Sequence, residues 1–379
     1  MSVRQRGVMP AKFLAMFMAV SLVPVGPVLA QAPATPPTAK VKPKPAATPA
    51  PAAAAPPSAA SPGAKSDTVQ LAANPCTEKI IAARNAPEAV NSAPSPGSAE
   101  HASAYAAYDQ GRFATALSLA EAAAGKGDPQ AHTLVARIHD EGQAVPKDPI
   151  TAARWYARAA QLCDVPAIFA YGLMLAEGRG VEKDRAAAAQ MLELAALSGH
   201  SLANYNLGLM FLNGDGKPEN KHRAAQHILY AAERGIAAAQ YDIAVMYLNG
   251  AGVPTDGAEA SRWFNRAAVA GHTAAQYDYA VMLLKGLGLE RDKSRIYEYM
   301  EAAAEKGVPG AQNRLAHMFK DGVAVEKNGV EALKWRIIAR TSVDDPGIDA
   351  ELAKLSKTDK LAAEKAAAEW RDKQAAGIQ

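Results

Sequence analysis

The 379-residue sequence lacks the patterns that most enzymes and metal proteins carry. Its two cysteines and eight histidines show no zinc-ligand spacing, and the histidines do not cluster. The glycine loops lack the G-K-[ST] ending of a phosphate loop, and neither G-x-S-x-G nor a Ser/His/Asp order stands out. We therefore predict a protein that is not an enzyme, with no catalytic residue, no bound metal and no cofactor.

An excess of positive over negative charge is confined to the N-terminal part of the chain. Residues 1–73 hold seven basic residues and one acidic residue, whereas the remainder holds 34 basic against 37 acidic residues. The larger part is thus mildly acidic, although the net charge of the whole chain is +3. Nucleic-acid binding has no electrostatic support, and we predict no nucleic-acid partner.

What the chain does contain is a 36-residue repeat, present six times without slippage. One alanine marks its phase, and a glycine follows eleven residues later. The alanines are Ala131, Ala167, Ala203, Ala239, Ala275 and Ala311, and the glycines are Gly142, Gly178, Gly214, Gly250, Gly286 and Gly322. A period of this size marks a stacked array in which each unit buries its apolar face against its neighbours.

Each copy of the repeat predicts two helices. The apolar spacing of residues 203–214 is typical of a helix, helix A, and the glycine fits its left-handed C-terminal position. Six residues later an Asp or Asn can cap a second helix, helix B. These caps are Asp148, Asp184, Asn220, Asp256, Asp292 and Asn328. Four residues depart from the pattern: Ala144 and Ala324 replace a loop glycine, Cys163 replaces the glycine that ends helix B, and His227 replaces a bulky aromatic residue.

The repeat resembles the Sel-one-like repeat (SLR), a subclass of the tetratricopeptide-like helical repeats. The pattern A-x-x-x-L-G-x-x-Y-x-x-G-x-G-V-x-x-D-x-x-x-A-x-x-W-x-x-x-A-A-x-x-G matches best at residues 239–271, and the resemblance covers roughly 128–340. It implies an all-α fold, a right-handed α-α superhelix (solenoid) of six helix-turn-helix repeats. It also implies protein partners, since exported members of the family scaffold envelope or polysaccharide-export assemblies or restrain a membrane sensor kinase.

The two ends of the array have their own predicted organisation. We expect a pre-repeat segment at 74–100, a degenerate capping half-repeat at 101–127 and a C-terminal capping helix within 341–379. Residues 1–30 are typical of a signal peptide cut after Ala30, which predicts a periplasmic or secreted protein. An uncleaved signal that anchors the chain in the inner membrane is the alternative. Residues 31–73, rich in proline and alanine, predict a disordered linker.

The two cysteines, Cys76 and Cys163, form a candidate disulfide. An even number of cysteines in an oxidising compartment favours pairing. A bond between them would fasten the pre-repeat segment to the start of the array. Two unpaired thiols remain the alternative, because the geometry of the pair cannot be derived from the sequence.

The resemblance implies that helix A lines the inner, concave face, where four aromatic residues stand two places after the phase-marking alanine. The predicted partner-binding groove comprises Phe169, Leu173, Tyr205, Leu209, Tyr241, Asp242, Val245, Tyr277, Asp278 and Val281. Asp242 and Asp278 would pair with basic side chains of the partner. The same tyrosines could instead pack between adjacent helices A, and the sequence leaves both possibilities open.

These observations predict a non-enzymatic scaffold or regulator in the bacterial cell envelope that binds a partner protein or peptide in the concave groove. The alternative is a protein that binds or hydrolyses cell-wall material, either a peptidoglycan fragment or a β-lactam. That alternative comes from cysteine-rich exported members of the family, in which each repeat has a cysteine pair that this chain lacks.

Overall fold

The computed structural model describes residues 74–85, 98–286 and 292–377. Within those ranges the chain forms seventeen α-helices and no strand. The prediction of an all-α fold is therefore confirmed. The predicted signal peptide (1–30) and linker (31–73) lie outside the described residues, as does part of the predicted pre-repeat segment.

Three helices precede the repeats: α1 (Pro75–Asn85), α2 (Ser98–Asp109) and α3 (Phe113–Gly125). The predicted half-repeat at 101–127 forms two packed helices, most of α2 and all of α3, joined by residues 110–112. It is thus a full helix pair with a shortened loop. The sequence pattern showed only its second helix because α2 is rich in alanine and weakly amphipathic.

The six repeats form six helix pairs. In chain order these pairs are α4 (Pro129–Glu141) with α5 (Pro149–Gln161), α6 (Val165–Glu177) with α7 (Arg185–Leu197), α8 (Ser201–Asn213) with α9 (Lys221–Glu233), α10 (Ala237–Asn249) with α11 (Gly257–Val269), α12 (Thr273–Lys285) with α13 (Lys293–Glu305), and α14 (Pro309–Asp321) with α15 (Gly329–Ala339). Each helix B packs against the helix A of its own repeat and, in the first five pairs, against the helix A of the next repeat. This nearest-neighbour packing is that of a solenoid.

The predicted boundaries inside each repeat are confirmed by the backbone. All six phase-marking glycines cap the C-terminus of a helix A in the left-handed conformation, with φ between 65° and 75°. All six predicted Asp and Asn caps accept hydrogen bonds from amides in the first turn of helix B. Local sequence therefore determines where helix A ends and where helix B begins.

Small residues let the helices of the array approach closely. In the fourth repeat, Ala239 of α10 and Ala260 and Ala267 of α11 are fully buried around Trp263. In the third repeat, a Cβ on Gly208 of α8 would lie only 2.6 Å from Cγ1 of Ile228 in α9. Small residues at the helix contacts thus leave room for large buried side chains such as Trp263 and Ile228.

Two helices close the C-terminal end: α16 (Pro346–Leu352) and α17 (Lys357–Ala375). α17 packs against α15. Beside it, the fully buried Arg336 donates two hydrogen bonds of 2.8 Å to the carboxylate of Asp349 in α16. The last repeat is therefore covered by charged, outward-facing helices, as an open solenoid requires for solubility.

Candidate functional site

The predicted groove residues lie on four successive helices A, namely α6, α8, α10 and α12. The surface that these helices form is here called the helix A surface. Phe169, Leu173, Tyr205 and Val281 are buried in it, whereas Leu209, Tyr241, Asp242, Val245, Tyr277 and Asp278 are partly buried. The structure thus places all ten residues on neighbouring helices, with Phe169 and Tyr205 buried and Tyr241 and Tyr277 partly exposed.

The tyrosine column joins one repeat to the next. The hydroxyl of Tyr205 in α8 donates a 2.9 Å hydrogen bond to Oδ2 of Asp242 in α10. The hydroxyl of Tyr241 donates in the same way to Oδ2 of Asp278 in α12, at 3.0 Å. Each aspartate is therefore engaged by a tyrosine of the preceding repeat. This differs from the expectation that both aspartates would be available to a partner's basic side chain.

Burial changes the protonation of these two aspartates. It raises the pKa of Asp242 to about 6 and raises the pKa of Asp278, while the hydrogen bond from the tyrosine acts in the opposite direction in each case. Removal from water favours the neutral carboxyl group because the charged form loses its hydration. The column is thus a set of inter-repeat contacts, of which the one from Tyr205 to Asp242 changes its protonation near pH 6.

The rings of the aromatic column lie against histidines that cap the next helix A. The ring centroid of Phe169 is 4.4 Å from that of His200, and the ring of Tyr241 is 4.7 Å from that of His272. Nδ1 of each histidine accepts a hydrogen bond from a first-turn amide of α8 or α12. Burial lowers the pKa of both histidines, which keeps Nδ1 free to accept.

Aliphatic side chains make up the part of the helix A surface that stays partly exposed. Beside the predicted Leu209 and Val245, the structure adds residues one turn further along the same helices. These added residues are Leu212, Leu248 and Leu284. Together the five side chains form a row across α8, α10 and α12 that can contact an apolar partner.

The polar residues at the two ends of the helix A surface are paired within the chain. At the first repeat, Arg137 contacts Glu141 at 2.8 Å and Asp140 pairs with Arg179. At the last repeat, His317 and Asn313 both reach Oδ2 of Asp345, at 2.8 and 3.1 Å. The aliphatic row is therefore bounded by internal ion pairs and hydrogen bonds.

The candidate disulfide is present in the structure. Cys76 of α1 is bonded to Cys163, the second residue after α5, and their Cα atoms are 5.3 Å apart. Cys163 has a left-handed φ of 68°, as the glycines at the same place in later repeats do. α1 also contacts α7, so the bond fastens the pre-repeat helix at the junction of the first two repeats.

His227 occupies the core position that the sequence singled out. Its Nδ1 lies 2.9 Å from Oδ1 of Asn204, and its ring stacks on Phe211 with a centroid distance of 5.7 Å. A cavity of about 490 Å³ opens beside it. The sequence identified His227 as a departure from the repeat but did not predict the cavity, because a cavity depends on how far apart the neighbouring helices stand.

Residues 74–85, 98–286 and 292–377 contain neither a metal-binding cluster nor a membrane-spanning helix. No group of three or more His, Cys, Asp or Glu side chains there could hold a metal ion. No helix in the same ranges has the length and apolar character needed to cross a membrane.

Comparisons with known proteins agree with the geometry. A family model described as "Sel1 repeat" matches residues 129–162, 165–200, 201–236, 237–272, 273–308 and 309–335, which is more than half of the chain. No curated protein matches.

Among solved structures, a Sel1 repeat protein from Oxalobacter formigenes is 27% identical with a TM-score of 0.56. That match covers 65% of this chain and 99% of the other. A protective antigen present in uropathogenic Escherichia coli strains, described as displaying an SLR fold, is 22% identical with a TM-score of 0.37, covering 80% of this chain and 81% of the other.

Proposed function

The chain belongs to the Sel1 repeat family, and from that premise we propose that it is a non-enzymatic scaffold of the bacterial cell envelope. Sel1 repeats commonly mediate protein–protein interaction and are generally non-catalytic. In the proposed function, a partner protein or peptide binds along the helix A surface. We expect only part of that surface to make the contact.

The observation that carries the proposal is the row of partly exposed aliphatic side chains on α8, α10 and α12. Leu209, Leu212, Val245, Leu248 and Leu284 belong to three consecutive repeats. Tyr205 and Tyr241 donate to Asp242 and Asp278, so the contact surface is mainly aliphatic, with the partly exposed Tyr277 beside the row. Such a row suits the apolar face of an amphipathic helix or alternate side chains of an extended peptide.

Export to the envelope is supported by the N-terminal sequence and by the disulfide. Arg4, Arg6 and Lys12 precede an apolar run that ends in proline, and small residues stand at Val28 and Ala30. The bond between Cys76 and Cys163 is of the kind that persists in oxidising compartments. Expression of the full chain in a bacterial host should yield a periplasmic protein whose first residue is Gln31, and retention of residues 1–30 in the membrane fraction would contradict export by cleavage.

The helix A surface can be tested with two matched double variants. Leu212→Glu with Leu248→Glu places two charges in the aliphatic row. Ile150→Glu with Val269→Glu places two charges on α5 and α11, where the native side chains are already 55% and 69% exposed. We expect the first pair to lose its cross-linked partners in cells and the second pair to retain them.

The readout is photo-cross-linking from a benzoylphenylalanine introduced at Leu284, followed by identification of the cross-linked proteins. Circular dichroism and melting curves show whether each variant still folds. Equal cross-linking in both double variants would contradict binding on the helix A surface. Cross-links that form equally well from a probe at Val269 would contradict it too.

A further inference from the structure

The cavity beside His227 lies on the other side of the repeat from the aliphatic row. It opens between α7, α8 and α9 and has a volume of about 490 Å³, within the range of about 300 to 1,000 Å³ that ligand pockets occupy. Its lining residues are Glu193, Ala196, Leu197, Asn204, Leu207, Arg223, Gln226, His227 and Tyr230. It therefore combines an aliphatic floor with a charged and polar rim.

The other repeats show which side chain fills the position of His227. Three other repeats have a tryptophan at the position of His227, and each is buried. These residues are Trp155, Trp263 and Trp335. An indole thus fills the corresponding volume where the chain supplies one, and the smaller imidazole of the third repeat leaves part of that volume open.

Hydrogen bonds determine which nitrogen of His227 faces the cavity as an acceptor. Nδ2 of Asn204 donates to the carbonyl oxygens of Ala196 and His200, at 3.3 and 3.1 Å. Oδ1 of Asn204 therefore accepts from Nδ1 of His227, at 2.9 Å. Burial and the charge of Arg223 lower the pKa of His227. The ring is then neutral, its proton is on Nδ1, and Nε2 receives no hydrogen bond from the described residues.

The molecule contains its own example of a helix that docks through an indole at this face. Trp370 of α17 packs against Trp335, which stands at the place of His227, with ring centroids 6.0 Å apart. Nε1 of Trp370 donates a 2.6 Å hydrogen bond to Glu305 at the end of α13. Glu305 has the same position in its repeat as Leu197 has at the end of α7. An added helix thus contacts two successive helices B through one tryptophan and one indole hydrogen bond.

We propose that the cavity beside His227 binds a tryptophan side chain on a helical segment of a partner protein, with the indole N–H donating to Nε2 of His227. The indole takes the place beside His227 that Trp370 takes beside Trp335 at the end of the array. The ring of Phe211, stacked on His227, holds the imidazole plane, and Arg223 and Glu193 lie on the rim. This site is separate from the helix A surface, and it stands whether or not that surface binds a partner.

Binding can be measured on the full chain with three small probes. N-acetyl-tryptophanamide supplies the indole, its 1-methyl derivative lacks the N–H donor, and N-acetyl-alaninamide lacks the ring. We expect the first to shift the imidazole nitrogen signals of His227 in NMR titrations and the 1-methyl derivative to bind about tenfold more weakly, the effect of one hydrogen bond. The alaninamide should not bind.

Two variants separate the proposal from a general affinity for indole. His227→Trp removes the Nε2 acceptor and restores the arrangement at Trp335, against which Trp370 still packs, so it should fold and bind both indole probes equally. His227→Phe removes the acceptor and should weaken the unmethylated probe to the level of the 1-methyl derivative. Continued discrimination between the two indoles by folded His227→Trp, equal binding of both indoles by the native chain, or no binding of either would overturn the proposal. Should His227→Trp not fold, the comparison with His227→Phe decides.

Discussion

At the scale of the residue, the positions where this chain departs from its repeat pattern are the informative ones. Among the described residues, the non-glycine residues with left-handed φ are Ala144, Cys163 and Ala324. All three stand where other repeats have glycine. Since this conformation costs a residue with a Cβ roughly 1–2 kcal/mol, the packing of the array imposes it against local preference.

Two glycines with similar left-handed φ should differ in how much stability the protein loses when each is replaced by alanine. Gly252 has φ of 78°, and a Cβ there would lie 2.0 Å from the backbone oxygen of Lys221. Gly235 has φ of 85° with nothing within 4 Å of such a Cβ. Both substitutions to alanine incur the left-handed strain, about 1–2 kcal/mol, but Gly252→Ala should lose about 1–3 kcal/mol more from the clash. Urea unfolding measures both, and equal losses would refute the close approach.

Asp242 should make the stability of the protein depend on pH. Its pKa is about 6 in the fold against about 3.9 in an unfolded chain, so the native state holds the proton more tightly. The stabilising contribution is fully present below pH ~4 and is lost as the pH rises through 6. Asp242→Asn, which still accepts from Tyr205, should therefore gain on the order of 2 kcal/mol relative to the native chain between pH 4 and pH 8.

The measurement is the free energy of unfolding of both proteins across that pH range. Asp372→Asn, on the exposed last turn of α17, serves as the matched substitution elsewhere. Curves for the native chain and Asp242→Asn that run parallel from pH 4 to pH 8 would show that the carboxyl group of Asp242 is not held in a desolvated site.

At the scale of the element, helix ends could be predicted and contacts between repeats could not. Asp256 caps α11 and Gly250 ends α10 as expected, because capping depends on a few neighbouring residues. The bond from Tyr205 to Asp242 depends on how closely α8 and α10 approach. The period places both residues on one face, but it does not give the distance between successive helices A.

The surroundings of the other candidate residues also depend on helix packing, which the sequence does not give. The sequence identified His227 as an exception, yet its cavity and the orientation of Asn204 follow from the packing of three helices. Leu212, Leu248 and Leu284 follow the 36-residue period but were not among the predicted groove residues. Their partial exposure, which distinguishes them from the buried Val281, depends on the rotation of each helix.

The disulfide should stabilise the fold chiefly by restricting the unfolded chain. The bond from Cys76 to Cys163 spans 87 residues, for which the loop-entropy model gives about 4 kcal/mol. Replacing both cysteines by serine should remove that amount. Cys76→Ser with Cys163→Gly should recover about 1 kcal/mol of it, because glycine adopts the left-handed φ without strain.

Denaturant unfolding of the two double variants without reductant separates the loss of the disulfide from the backbone strain at position 163. The difference between Gly and Ser at position 163 reports the backbone strain alone. Identical stabilities for the two would mean that the backbone relaxes once the bond is absent, and the native stability retained by both would mean that the bond contributes nothing.

At the scale of the whole molecule, an open solenoid must cover its last repeat. α17 packs on α15 and covers Trp335 with Trp370. Deletion of residues 357–379 should expose this face, lower the melting temperature and cause concentration-dependent self-association. Light scattering after size-exclusion chromatography measures the mass. Leu361→Glu, at a position of α17 that is 68% exposed, should leave the chain monomeric, and a monomeric deletion variant would refute the capping role.

The cross-link between Cys76 and Cys163 also determines how the array responds to mechanical force. Residues 77–162 lie inside the covalent loop that the bond closes. Tension applied to the chain before Cys76 passes through the two sulfur atoms to Cys163 and does not travel along α2 to α5. A pull on the N-terminal segment therefore reaches the solenoid at the junction of its first and second repeats, and the helices inside the loop stay unloaded until the bond is reduced.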